Sequence, residues 1–167
     1  MPRGFLKRRS ILVAALLGVV AALAIPVAFA DSPHFLSASA SIDQTTGNLV
    51  CTFKEAGLGN SGGTANITCS ASSTVVYQCF NNGGNHPKAG NKETVHADVS
   101  GSGNFPIRNG QTTGSLTVPP AGPGSFACPS GQTLFLQSVE YDNVTISGEE
   151  TSISVGDVGP VTLHIAV

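Results

Sequence analysis

The chain has no tryptophan, two tyrosines and one methionine, and aromatic residues make up 6% of it. Few rings are therefore available to line a cleft for a large apolar ligand. Charge is equally sparse, since Lys, Arg, Asp and Glu together account for 11% of 167 residues. After Ala30, no stretch of about a dozen residues carries the i, i+3, i+4, i+7 apolar spacing of an amphipathic helix. That absence removes helical folds, and with them the glycine loop before a helix that cradles phosphates. Neither a CxxC nor an HxxxH pair occurs, so no metal site is expected despite four cysteines and four histidines.

What stands first in the chain is an export signal. MPRGFLKRRS is cationic, ILVAALLGVVAALAIPV is apolar, and Ala28-Phe29-Ala30 forms a small-residue site before Asp31. This order is that of a cleaved, helical signal peptide over residues 1–30. The apolar run approaches the length of a membrane span, but Pro26 and the site after it favour cleavage over a retained anchor. Arg8-Arg9 before Ser10 suits a twin-arginine signal as well as the n-region of an ordinary one. Cleavage removes Arg3, Lys7, Arg8 and Arg9, four of the eight basic residues, and none of the ten acidic ones. The remainder, 31–167, carries a net charge of about −6, which opposes binding to nucleic acid or an anionic membrane. The expectation is a secreted, extracellular protein with no stable membrane anchor and no nucleic-acid partner.

Cys51, Cys69, Cys79 and Cys128 all lie in the exported part. An even number in an oxidising compartment predicts two disulfides, and three pairings are open. The favoured set is Cys51–Cys69, joining neighbouring strands across a loop, with Cys79–Cys128, tying an Asn/Gly-rich stretch to a distant turn.

Every informative segment alternates at period two. NLVCTF puts Leu49, Cys51 and Phe53 on one face, TANITC does so with Ala65, Ile67 and Cys69, and TVVYQCF with Val75, Tyr77 and Cys79. HFLSASAS, ETVHADV, GSLTV, TLFLQSVEY, NVTIS, TSISV and VTLHIAV complete the strand candidates. The fold class is all-β, an immunoglobulin-like antiparallel β-sandwich with two disulfides, in a single domain over 31–167. Asn109-Gly110 is the strongest hairpin signal, because both residues tolerate the positive φ of a type I′ turn. Pro106 puts the arm before it at an edge or ends its pairing. Pro119 to Gly124, PPAGPG, reads as a surface connection.

Catalytic chemistries find little support. Gly59 to Gly63, GNSGG, resembles the GDSGG around the nucleophile of trypsin-like proteases. A serine nucleophile needs a base and an acid that orients the base, and His34 is the one histidine before Ser61 after the signal, with Asp31 and Asp43 among the acids there. Turn formation explains the stretch. His34, His86, His96 and His164 are each isolated in sequence. Glu140 and Asp142 share a strand face without the Asp/Asn/Gly loop of a calcium site, and Glu149-Glu150 reads as a solvated hairpin tip. Asn66-Ile67-Thr68 and Asn143-Val144-Thr145 match the glycosylation sequon within ordinary strand composition. No enzymatic activity and no cofactor are expected.

The candidate binding loop is CFNNGGNHPKAGNK, Cys79 to Lys92. Lys88 and Lys92 are two of four cations after the signal, beside Lys54 and Arg108. Asn85, His86, Lys88, Asn91 and Lys92 could meet an anionic or glycan partner; the same composition also serves an Ω-like loop that satisfies its own backbone.

FKEAGLG (53–59), YQCFNNGGNHPKAGNKETV (77–95), NGQTTGSLTV (109–118) and FACPSGQTLFLQSVEYDNVTI (126–146) together resemble a group of small exported actinobacterial proteins. These carry FKEAGLG, GGNHPxAxNK and CPxGQTL motifs. The resemblance implies secretion and an all-β domain, implies no mechanism, and agrees with a Cys79–Cys128 bond. The expected function is a noncatalytic extracellular binding or surface-interaction module, with a glycan or cell-wall component as partner. A small-molecule carrier or a secreted protease inhibitor is the alternative.

Overall fold

The computed structural model describes residues 32–59, 62–81 and 91–167. Seven strands follow one another: β1 (His34–Ile42), β2 (Leu49–Ala56), β3 (Thr64–Asn81), β4 (Lys92–Pro106), β5 (Gln111–Val118), β6 (Gln132–Ser147) and β7 (Ser152–Ala166). They form two antiparallel sheets, ordered β1-β2-β5 and β4-β3-β6-β7. The two inner faces enclose one core, which makes the fold an immunoglobulin-like sandwich. The signal sequence lies outside the described residues.

Ten strand candidates become seven strands because three pairs fuse. TANITC and TVVYQCF are one strand through Ser70 to Ser73, since β4 pairs along one side of that stretch and β6 along the other. Two flanking ladders override the weak strand preference of four small residues. TLFLQSVEY and NVTIS fuse in β6, where the pairing with β7 shifts register between Tyr141 and Val144 and Asn143 adopts φ 55°. That bulge absorbs Asp142-Asn143, which would otherwise read as a turn. TSISV and VTLHIAV fuse in β7 in the same way, with further register shifts opposite β6.

Leu49, Cys51 and Phe53 of β2 face Ile67, Cys69, Val75 and Tyr77 of β3 and Val139, Tyr141, Val144 and Ile146 of β6. Both disulfides form in the favoured pairing. Cys51–Cys69 joins strands that neighbour in sequence but lie in opposite sheets, so it crosses the core, with its Cα atoms 6.4 Å apart. Cys79–Cys128 fastens the end of β3 to the connection between β5 and β6. That connection is more than a surface crossing, because Ala121 is buried and its carbonyl accepts a hydrogen bond from Tyr77 Oη at 2.7 Å.

Asn109 and Gly110 have φ of 51° and 71°, and Arg108 and Gln111 exchange backbone hydrogen bonds across them. This is the two-residue hairpin the sequence announces. Pro106 ends β4, an edge strand. The hairpin passes the chain from one sheet to the other, and close packing holds the two edges together. The Phe105 ring of β4 lies directly on Gly114 of β5 and meets Phe53 edge-on, ring centroids 4.8 Å apart. Gly114→Ala would push that ring off both neighbours. We expect a loss of about 1–3 kcal/mol, read as a lower urea midpoint at unchanged m-value.

Candidate functional site

Of the candidate loop residues, Asn85, His86 and Lys88 lie outside the described residues. Asn91 immediately precedes β4, and Lys92 opens it. Asn91 Nδ2 donates to Gln132 Oε1 at 3.0 Å, tying the start of β4 to the start of β6. Lys92 is exposed and pairs directly with Gln78 of β3, which in turn pairs with Phe135 of β6. Residues directly opposite in antiparallel strands share a face, so Lys92, Gln78 and Phe135 form one row on the outer side of the four-stranded sheet.

That row leads into an aromatic cluster that sequence reasoning missed. The exposed His164 ring of β7 stacks on Phe135, centroids 4.1 Å apart and 15° from parallel. Phe80 meets both rings edge-on, at 5.3 Å from Phe135 and 4.9 Å from His164. Gln137 Nε2 donates to His164 Nδ1 at 2.9 Å, which fixes the ring's orientation and leaves Nε2 to carry the proton. A mostly polar outer face therefore acquires, at the end where β3 stops and β6 starts, a patch of rings, amides and one ammonium.

The rest of that outer face is a hydrogen-bonded ladder between β3 and β4. Asn66 bonds Asn104, Ser72 bonds Asp98, and Thr74 bonds His96. Glu140 and Asp142 stand on the same face, opposite Thr74 and Ser72. Ser61 lies outside the described residues. Among the described residues no three His, Cys, Asp or Glu side chains gather closely enough to hold a metal ion.

A second missed feature sits at the other end of the sandwich. Glu55 of β2 is 0% exposed, and neither carboxylate oxygen has a hydrogen-bond partner. It borders a cavity of about 310 Å³ together with Glu149 and Glu150 of the β6–β7 turn. The Glu149-Glu150 tip is exposed, as its sequence suggests. Burial pushes the Glu55 carboxyl above its ordinary range, the Glu149 charge adds to the rise, and His34 opposes it. The signal for Glu55 was present, since it continues the inward period of Leu49, Cys51 and Phe53 by one step.

No family model matches the chain, and no curated protein or solved structure matches it either. Two disulfides are bonds of an oxidising compartment, and no helix among the described residues is long and apolar enough to cross a membrane.

Proposed function

We propose that this is a secreted, noncatalytic binding module that recognises an extracellular glycan, such as a cell-wall polysaccharide. The observation that carries the reading is the His164–Phe135 stack, edged by Phe80 and flanked by Gln137, Gln78 and Lys92 on one sheet face. A sugar ring has an apolar face of C–H bonds and a rim of hydroxyls. Amphipathic rings suit the first, and side-chain amides and an ammonium suit the second. The export signal and the two disulfides support an extracellular setting. The noncatalytic part rests on the sequence, where His34 is the one histidine before Ser61 after the signal and turn formation accounts for GNSGG.

The carrier alternative draws on one feature, the Glu55 cavity, whose volume lies at the lower end of ligand-pocket sizes and suits a small ligand better than a large cargo. The inhibitor alternative rests on stretches that fall partly outside the described residues.

Glycan and cell-wall binding arrays with residues 31–167 test the proposal. Binding should fall about tenfold or more in Phe135→Ala/His164→Ala, equivalent to roughly 1.4 kcal/mol, and less in Lys92→Ala. Undiminished binding by the double variant, or a wild-type protein that binds no glycan, refutes it. A melting temperature near wild type in the double variant separates lost contacts from lost fold, because His164 is exposed and Phe135 half-buried on the outer side of the sheet.

A further inference from the structure

Three carboxylates border one cavity at the end of the sandwich remote from the aromatic patch. Glu55 borders it from the buried side, beneath Gly148, and the exposed Glu149 and Glu150 border it from the β6–β7 turn. Gly148 covers the Glu55 carboxylate so closely that an added Cβ would stand 2.5 Å from Oε1. A carboxylate that is 0% exposed and has no donor lacks the compensation that buried polar groups almost always have. None of the described residues bordering the cavity is basic. The remaining wall includes hydrocarbon from Pro33, Leu58 and Ile107.

We propose that this cavity binds a small organic cation, a primary ammonium on a short aliphatic stem. The ammonium has three N–H donors and no acceptor, which matches an unpartnered carboxylate with two acceptor oxygens. The stem packs on Leu58, Ile107 and Pro33, and the negative rim at Glu149 and Glu150 draws the cation in. A bare divalent ion fits less well. It needs six or more oxygen ligands, or several carboxylates at once, whereas the three acids do not converge closely enough, and part of the wall is apolar. The cavity lies away from the aromatic patch, so this site stands or falls independently of the glycan reading.

Binding should also move a proton. Burial and the neighbouring Glu149 charge hold the Glu55 carboxyl above its ordinary range, with His34 opposing. An ammonium beside it favours the ionised form, so binding near or below that raised value releases a proton. Affinity then weakens as pH falls through it. Among the described residues, Glu149 and Glu150 on the turn and His34 on β1 are charged or titratable groups at this end, and Arg108 adjoins it beside the cavity-lining Ile107.

Calorimetric and NMR titration of residues 31–167 with n-butylammonium chloride at low salt tests the site, with n-butanol as the neutral control. The expected result is saturable millimolar binding, enthalpies that vary with the buffer's ionisation heat, and an affinity at least about tenfold lower in Glu55→Gln. Nα-acetyl-lysine amide identifies the source of the cation. Tighter binding than n-butylammonium assigns the site to a lysine side chain of a partner, and weaker binding assigns it to a free amine. No saturation at tens of millimolar, equal binding of n-butanol, or unchanged affinity in Glu55→Gln overturns the proposal. Should Glu55→Gln not fold, Glu149→Gln/Glu150→Gln keeps the test decisive. Its exposed sites leave the fold alone, and unchanged affinity there also overturns the proposal.

Discussion

Tyr141→Ala is expected to lower the free energy of unfolding by about 4 kcal/mol, within the range for loss of a fully buried aromatic side chain. Tyr141 is 0% exposed in the middle of β6. Its ring fills the space between the sheets, and its hydroxyl donates to the Gly47 carbonyl at 2.8 Å. Gly47 belongs to the turn between β1 and β2, so one side chain joins the four-stranded sheet to the other sheet's first turn. Truncation leaves a cavity and an orphaned carbonyl together. Tyr141→Phe separates the two, because it keeps the ring and loses only the hydrogen bond, for about 1 kcal/mol. Urea denaturation of both variants at constant m-value reads the difference. An alanine variant losing less than about 2 kcal/mol would show that the ring does not hold the sheets together. The phenol adds a pH signature. Burial pushes its titration well above the ordinary value of 10.0. Stability is therefore full below the unfolded-state value and declines as pH rises beyond it, and Tyr141→Phe should flatten that decline.

Period-two alternation made the fold class legible, because each inward residue between Leu49 and Phe53, or between Ala65 and Cys69, is buried. Strand ends were harder to read. Serine, aspartate and asparagine mark turns when flanking strands do not claim their backbone groups. At Ser70 to Ser73 two neighbours claim them, and at Asp142-Asn143 a bulge does. Local composition carries no record of a ladder supplied from 20 or more residues away. The disulfide pairing was favoured from sequence, but that Cys51–Cys69 crosses the core depends on β2 and β3 joining different sheets.

The candidate sites separate in the same way. Lys92 stood out by its rarity as a cation, and the structure puts it on the outer face in line with Gln78 and Phe135. His164 read as an ordinary outward residue, which it is. Its partners Phe135 and Phe80 belong to β6 and β3, and only the sheet order brings the three rings together. Glu55 was legible in principle. A charged residue in phase with Leu49, Cys51 and Phe53 either ends the strand or goes inward unpaired, and here it goes inward.

Replacing Cys79 and Cys128 together by alanine should cost about 4 kcal/mol, against about 3 kcal/mol for Cys51 and Cys69, because the closed loops differ in length. The sequence separations are 49 and 18 residues. The longer closure restrains the unfolded chain more, and it also does more in the folded state. The connection from Pro119 to Gly131 has no strand pairing. Apart from the Tyr77–Ala121 hydrogen bond, two local backbone turns, the burial of Ala121 and the packing of Phe126 against the core, Cys128 is its covalent attachment to the sandwich. Loss of the bond should therefore expose amides in 119–131 to hydrogen exchange while those of β2 and the middle of β3 stay protected. Cys51→Ala/Cys69→Ala should give the opposite distribution, a loss shared by both sheets. The consequence for binding follows from position. Cys79 precedes Phe80, which meets Phe135 and His164 edge-on. An end of β3 freed from its tether holds that ring less firmly, so glycan binding should weaken in Cys79→Ala/Cys128→Ala and persist in Cys51→Ala/Cys69→Ala at temperatures where both are folded. Equal binding by the two variants would separate the disulfide from the aromatic face and leave it a purely stabilising bond.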